Sequence, residues 1–136
     1  MKPRLLTALR PEGVVAVERA LGQFVDIVPV YAYDEAVRRL ESSADIDLVL
    51  CGIYFAQTRM FDLLRFVRDK QPGLPFVACR IGDTELPNVT LEAVGIASRS
   101  MGAAAFVNMP LLRRDDGADQ EFRSQVLRHL RPRAPG

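Results

Sequence analysis

The stretch DIDLVLCGIYFAQTRMFDLLRFVRDKQPGLPFVACR, residues 45–80, decides the fold. Ile46–Cys51 is a near-continuous apolar run, the pattern of a parallel strand covered on both faces. Phe61, Leu64 and Val67, with Leu63 alongside, recur at helical spacing, and Gln71-Pro72-Gly73 stops that helix. Pro75–Cys79 is a second buried strand. The segment therefore reads as strand, loop, helix, strand, the unit from which parallel sheets are wound.

Outward from it the alternation continues. Arg4–Leu9 reads as a strand, and from Pro11 onward Val14, Val17, Leu21 and Phe24 mark a helix whose proline sits in the tolerant first turn. Val25–Tyr31 is a β-rich run containing Pro29, which cannot donate to a central ladder and so belongs at a sheet edge. Asp34 is expected to cap a short helix, Glu35–Glu41, that buries Ala36, Val37 and Leu40. Past a polar loop at 82–88, a helix runs through Leu91, Val94, Ser98 and Met101, with Gly102 placed for a left-handed C-terminal cap. Residues 104–107 (AAFV) form a fifth strand. A last helix buries Phe122, Val126 and Leu130, with an acidic residue of the Arg113-Arg114-Asp115-Asp116 turn capping it. Five strands alternating with five helices give an α/β fold: a flavodoxin-like, doubly wound, five-stranded parallel sheet of order 2-1-3-4-5 with helices on both faces. Its functional end is the carboxyl end of the strands, at Ala8–Arg10, Cys51–Tyr54, Cys79–Ile81 and Asn108–Pro110.

Composition narrows the function classes. The 136 residues suffice for one well-packed core. Eighteen basic residues against seventeen acidic ones give a net charge of +1, and no basic helix stands out, so neither direct nucleic-acid binding nor membrane attraction is expected. Charges and prolines break up the N-terminal run, and no apolar run approaches the roughly 20 residues of a membrane span. A cytoplasmic protein is expected. One histidine, His129, and no CxxC spacing argue against a metal site. Cys51 and Cys79 lie in apolar runs and are read as small hydrophobes, near neighbours on one core face. His129 is expected at the surface near a helix C-terminus.

RLLTALRP, DLVLCG, FDLLRFVRDKQPGLPFVAC and MGAAAFVNMP, in this order and spacing, resemble the receiver domain of two-component response regulators. The resemblance covers Arg4 to about Leu130, so residues 1–130 are read as a receiver-like domain and 131–136 as tail or linker. It implies a phosphoacceptor position at Gly52, an acidic pair at Ala8 and Leu9, a hydroxyl at Arg80 and a lysine at Met109. The family's chemistry needs carboxylates to hold Mg²⁺ and an aspartate to take up a phosphoryl group. None of the five functional side chains is kept. The loop proline and glycine of the family are Ala56 and Met60, and the nearest carboxylates, Asp47 and Asp62, fall at the wrong end of the strand and within the next helix. The resemblance further implies a cis bond between Met109 and Pro110. The fourth-helix region is also several residues longer than the family's, and family members commonly use that region for output.

The expectation is a degenerate, non-enzymatic pseudo-receiver without cofactor or metal. It would act by contact with a protein partner (a kinase, regulator or output protein) or as a homodimer through the fourth and fifth helices. The alternative is a flavodoxin-like sensor holding a small anion at the former phosphorylation end, where Arg80, read as lying directly across from Gly52, would join Arg10 and Arg59. Against it, Arg80 would point to solvent or pair with Asp83 or Glu85. An enzyme ranks last, because no nucleophile–base pair can be placed at the strand ends.

Overall fold

The apolar run at the heart of the decisive stretch becomes a strand buried at every position, β3 (Leu48–Gly52). The computed structural model describes residues 2–42, 44–82, 87–109 and 116–130. Around β3 stand β1 (Arg4–Ala8), β2 (Asp26–Val30), β4 (Phe76–Ile81) and β5 (Ala105–Met109). They alternate with α1 (Pro11–Leu21), α2 (Tyr33–Ser42), α3 (Met60–Lys70), α4 (Asn88–Ser100) and α5 (Asp116–Leu127). All pairings are parallel and the order is β2-β1-β3-β4-β5, as the pattern of apolar runs predicts. Pro29 lies in the edge strand β2, exposed and opposite Thr7.

Alternation along the strands builds two cores. Leu6, Ala8, Val49, Cys51, Phe76 and Ala78 pack on one face against Ala36 and Leu40 of α2 and Leu63, Leu64 and Val67 of α3. Leu5, Leu48, Leu50, Cys79 and Met109 pack on the other against Val14, Val17 and Leu21 of α1 and Phe122 and Val126 of α5. Arg19 pairs with Asp119 at 3.2 Å across the α1–α5 seam. At the opposite end of the sheet from the candidate site, Asp45 binds both Arg4 and Arg39, and the Asp47 carboxylate accepts the Arg4 N–H at 2.8 Å.

Two expectations are corrected here. Cys51 stands opposite Ala78, and Cys79 opposite Gly52, so the thiols lie on opposite faces of the sheet, one in each core. Successive side chains of a strand point to opposite faces, and the pairing differs by one residue from the one expected. A disulfide between them is thereby excluded. Asp34 is not the cap of α2. The helix starts at Tyr33 and places Asp34 in its first turn, while the Glu35 carboxylate accepts the Tyr31 N–H at 2.7 Å.

Gly102 adopts φ +107° just past α4, where the left-handed cap is expected. A Cβ there would meet Arg68 Cδ at 2.6 Å. Arg68 has little freedom to yield, because it donates to the carbonyls of Gly102 and Leu74 and so ties α3 to the end of α4 and the start of β4. Gly102→Ala is expected to cost about 1–3 kcal/mol from the positive φ and the displaced arginine. Urea unfolding checks it: an unchanged midpoint would show that Arg68 swings aside freely.

The Met109–Pro110 bond, the 113–115 turn, Asp83 and Glu85 of the fourth-helix insertion, and the 131–136 tail lie outside the described residues.

Candidate functional site at the strand ends

Pro11 restricts the residue before it to extended backbone, and Arg10 has φ −70° and ψ 157°. The chain bends at Leu9 on leaving β1 and is extended at Arg10 before α1, and Leu9 comes to lie over the end of β3. Leu9 is 3% exposed, and a Cβ built on Gly52 would meet its Cδ2 at 3.1 Å. From the other side Gly13 of α1 closes on Leu9, its ideal Cβ falling 3.4 Å from Leu9 Cβ and 3.8 Å from Ile81 Cβ. The cleft that remains, lined by Leu9, Arg10, Gly13, Gly52 and Ile81 among others, holds about 20 Å³. That is room for one water molecule. Met109 is fully buried in the same core as Leu9.

Arg80 is not across from Gly52; Cys79 is. β4 runs on to Ile81, so Arg80 is an in-strand residue on the side of Phe76 and Ala78, four and two positions back, which belong to the α2–α3 face. It is 8% exposed and donates from Nη1 to Asn108 Oδ1 at 3.3 Å, its registered partner on β5. Arg10 pairs with Glu12 at 3.0 Å, and Arg59 pairs with Asp62 at 2.8 Å while lying over the Tyr33 ring at 3.8 Å. The three arginines expected to converge on an anion are each engaged with a different neighbour and do not meet above Gly52.

A scan against protein-family models finds no match, and no curated protein matches the chain. Solved structures do. The BeF3-activated N-terminal receiver domain of Klebsiella pneumoniae RstA superposes with a TM-score of 0.69 at 20% identity, covering 96% of this chain and 100% of that one. HP1043, an orphan response regulator of H. pylori, gives 0.69 at 10% identity over 95% and 97%. NtrX from Brucella abortus gives 0.69 at 17% identity over 94% of this chain, which spans 27% of that longer one. The chain has the receiver-domain fold.

On the receiver fold, the metal and phosphoryl chemistry needs oxygen donors at the ends of β1 and β3. Here Ala8, Leu9 and Gly52 stand in those places. They offer no carboxylate, and a leucine side chain fills the space a hydrated cation needs. The residues do not fit Mg²⁺. The loop that follows β3 is also unusual, because Ala56 and Gln57 both adopt left-handed backbone, at φ 47° and 73°. Phe55, 1% exposed, anchors this loop in the core between them and Tyr54.

Sequence reasoning missed two features of this end. Leu9 was readable only as a lost acid, although an apolar residue just past an apolar strand is itself a signal of continued burial. The other is an open groove of about 390 Å³ beside the plug, lined by Leu9, Arg10, Pro11, Tyr31, Tyr54, Ala56 and Gln57. Its two tyrosines each follow an apolar strand run by one or two residues, and that spacing could have located it.

Proposed function

We propose that the protein is a pseudo-receiver: a non-enzymatic, phosphorylation-independent interaction module of two-component-type signal transduction, working in the cytoplasm. The observation that carries this reading is the Leu9 side chain seated over Gly52, hydrocarbon where a receiver performs its chemistry. A reaction centre filled in this way has neither a nucleophile to modify nor a cavity to admit a phosphoryl group. Acetyl phosphate, or beryllofluoride with Mg²⁺, is expected to leave both the intact mass and the amide NMR spectrum unchanged. A Mg²⁺-dependent gain of one phosphoryl group, mapped to an aspartate in the 51–62 region, would overturn it.

The partner surface we assign is the side formed by α4, β5 and α5, serving a kinase, regulator or output protein or a second copy of the chain. Val89 and Ile96, seven residues apart and so on one face of α4, are 77% and 53% exposed, on a helix otherwise seated by Gly95 against Phe106 and by the buried Ser98. Among the described residues no helix is long and apolar enough to cross a membrane. If the chain self-associates, Ile96→Arg is expected to return it to monomer in sedimentation experiments. A dimer that survives Ile96→Arg and cross-links through α1 instead would refute the assignment.

A further inference from the structure

We propose that the groove beside the plug is a binding site for a small aromatic acid, a planar ring carrying one carboxylate. In a sheet of order β2-β1-β3-β4-β5 the connections reverse direction between β1 and β3, and the crevice outside the carboxyl ends at such a point is where open α/β sheets take ligands. The groove lies there. Leu9 and Arg10 come from the end of β1, Tyr31 from the end of β2, and Tyr54, Ala56 and Gln57 from the loop after β3. Its volume of about 390 Å³ is that of a small-molecule site.

The lining specifies the chemistry. β2 and β3 flank β1 at one strand spacing each, so the strands that carry the two tyrosines end roughly 10 Å apart, and both tyrosines line the one groove that opens between them. Both are kept partly exposed, at 48% and 38%, while the neighbouring Phe55 is buried. Their backbones are held in advance: Tyr31 N–H is bound by Glu35, and the Phe55 N–H donates to Gly52 O at 3.0 Å, closing the turn that carries Tyr54. The donors for an acid are present as well. Among the described residues the backbone N–H groups of Ala56 and Gln57 find no hydrogen-bond partner, in a loop held in left-handed geometry. Backbone strain of this kind gathers where a site is preformed. The Arg10 guanidinium is 65% exposed at the rim, and its pair with Glu12 is solvent-exposed and weak, so a bound carboxylate can take the place of Glu12. The site needs no cavity above Gly52 and is independent of the α4–β5–α5 side, so it stands or falls apart from the interaction reading.

The test is an amide NMR titration with indole-3-acetate and, as its uncharged counterpart, indole. Indole-3-acetate is expected to shift Leu9, Arg10, Tyr31, Tyr54, Ala56 and Gln57 saturably, with a dissociation constant of about 1 mM or tighter. Indole is expected to bind about fivefold more weakly. Tyr54→Ala and Tyr31→Ala, at exposed positions that leave the spectrum dispersed, should each weaken the acid about tenfold. Arg10→Gln should bring acid and indole close to parity. A response that does not saturate by about 10 mM overturns the proposal. So do shifts centred on another surface, equal affinity for the two ligands in the wild type, or undiminished binding in Tyr54→Ala.

Discussion

Gly52→Asp is expected to destabilise the protein by roughly 3–5 kcal/mol at neutral pH and to remain inert toward acetyl phosphate. The first atom of the new side chain already falls 3.1 Å from Leu9 Cδ2, and the carboxyl beyond it must enter about 20 Å³ walled by Leu9, Gly13 and Ile81. Among the described residues no buried cation faces it: Arg10 lies at the exposed rim beside Glu12, and Arg80 belongs to the other face of the sheet. Gly52→Ala separates the two contributions. It adds only the Cβ, against the flexible end of a leucine, and should cost less than about 1 kcal/mol. Acidity separates them again. Burial raises the introduced carboxyl's pKa above its unfolded value near 4, so the penalty is largest above that folded pKa and shrinks as pH falls through it. Urea midpoints at pH 4.5 and 7.5 are the measurement. A Gly52→Asp variant as stable as wild type at pH 7.5 would mean that the end of the sheet is open.

The second large effect lies at alkaline pH. Cys51 and Cys79 are fully buried, and desolvation pushes both thiols well above their ordinary range; for Cys51 the neighbouring Cys79 adds to the shift. In the unfolded chain they ionise near pH 8.5, as free thiols do. Below that pH both states hold both protons and the thiols add nothing to the pH dependence. Above it the unfolded chain releases two protons that the folded protein keeps, and stability should fall with pH. The slope is about 1.4 kcal/mol per unit for each thiol, or roughly 3 kcal/mol for the pair. The double variant Cys51→Ala/Cys79→Ala, though less stable at pH 7, should lack this slope. Unfolding midpoints between pH 7 and 10.5 for the two proteins give the comparison, and parallel curves would show that both thiols ionise in the folded state as they do in the unfolded chain. At neutral pH, thiol reagents should label neither cysteine faster than the protein opens.

These two experiments probe the features that sequence reasoning handled least well. Element types and strand order were legible because they rest on long-range regularities. β3 reads as buried on both faces because no polar residue interrupts it, and Pro29 marks β2 as an edge because it lacks a donor. The facing of individual residues at the strand ends was not legible. It depends on where pairing stops, and β4 continues two residues beyond Cys79, so that Arg80 becomes an in-strand residue paired with Asn108 rather than a loop residue over Gly52. One residue of register exchanges the two faces. The filling of the site was hidden for a different reason. Gly52 alone implies space, and only the path of the chain through Arg10 and Pro11 delivers Leu9 into it. Helix starts erred locally, as at α2, where Asp34 and Glu35 are both plausible partners for free N–H groups and the tertiary path chose the glutamate.

The two edges of the sheet are not equivalent, and that inequality limits how large an assembly strand pairing can make. β2 carries Pro29 on its exposed rim and cannot complete a ladder with a newcomer. Among the described residues β5 is paired on one side only, with β4. A filament would need the closed rim of one molecule to receive the open rim of the next. Open rim against open rim, related by a two-fold axis, consumes both and leaves only prolines outward. In the terms of polymer chemistry the protein is a monofunctional monomer, its own chain terminator, and by this route association ends at two.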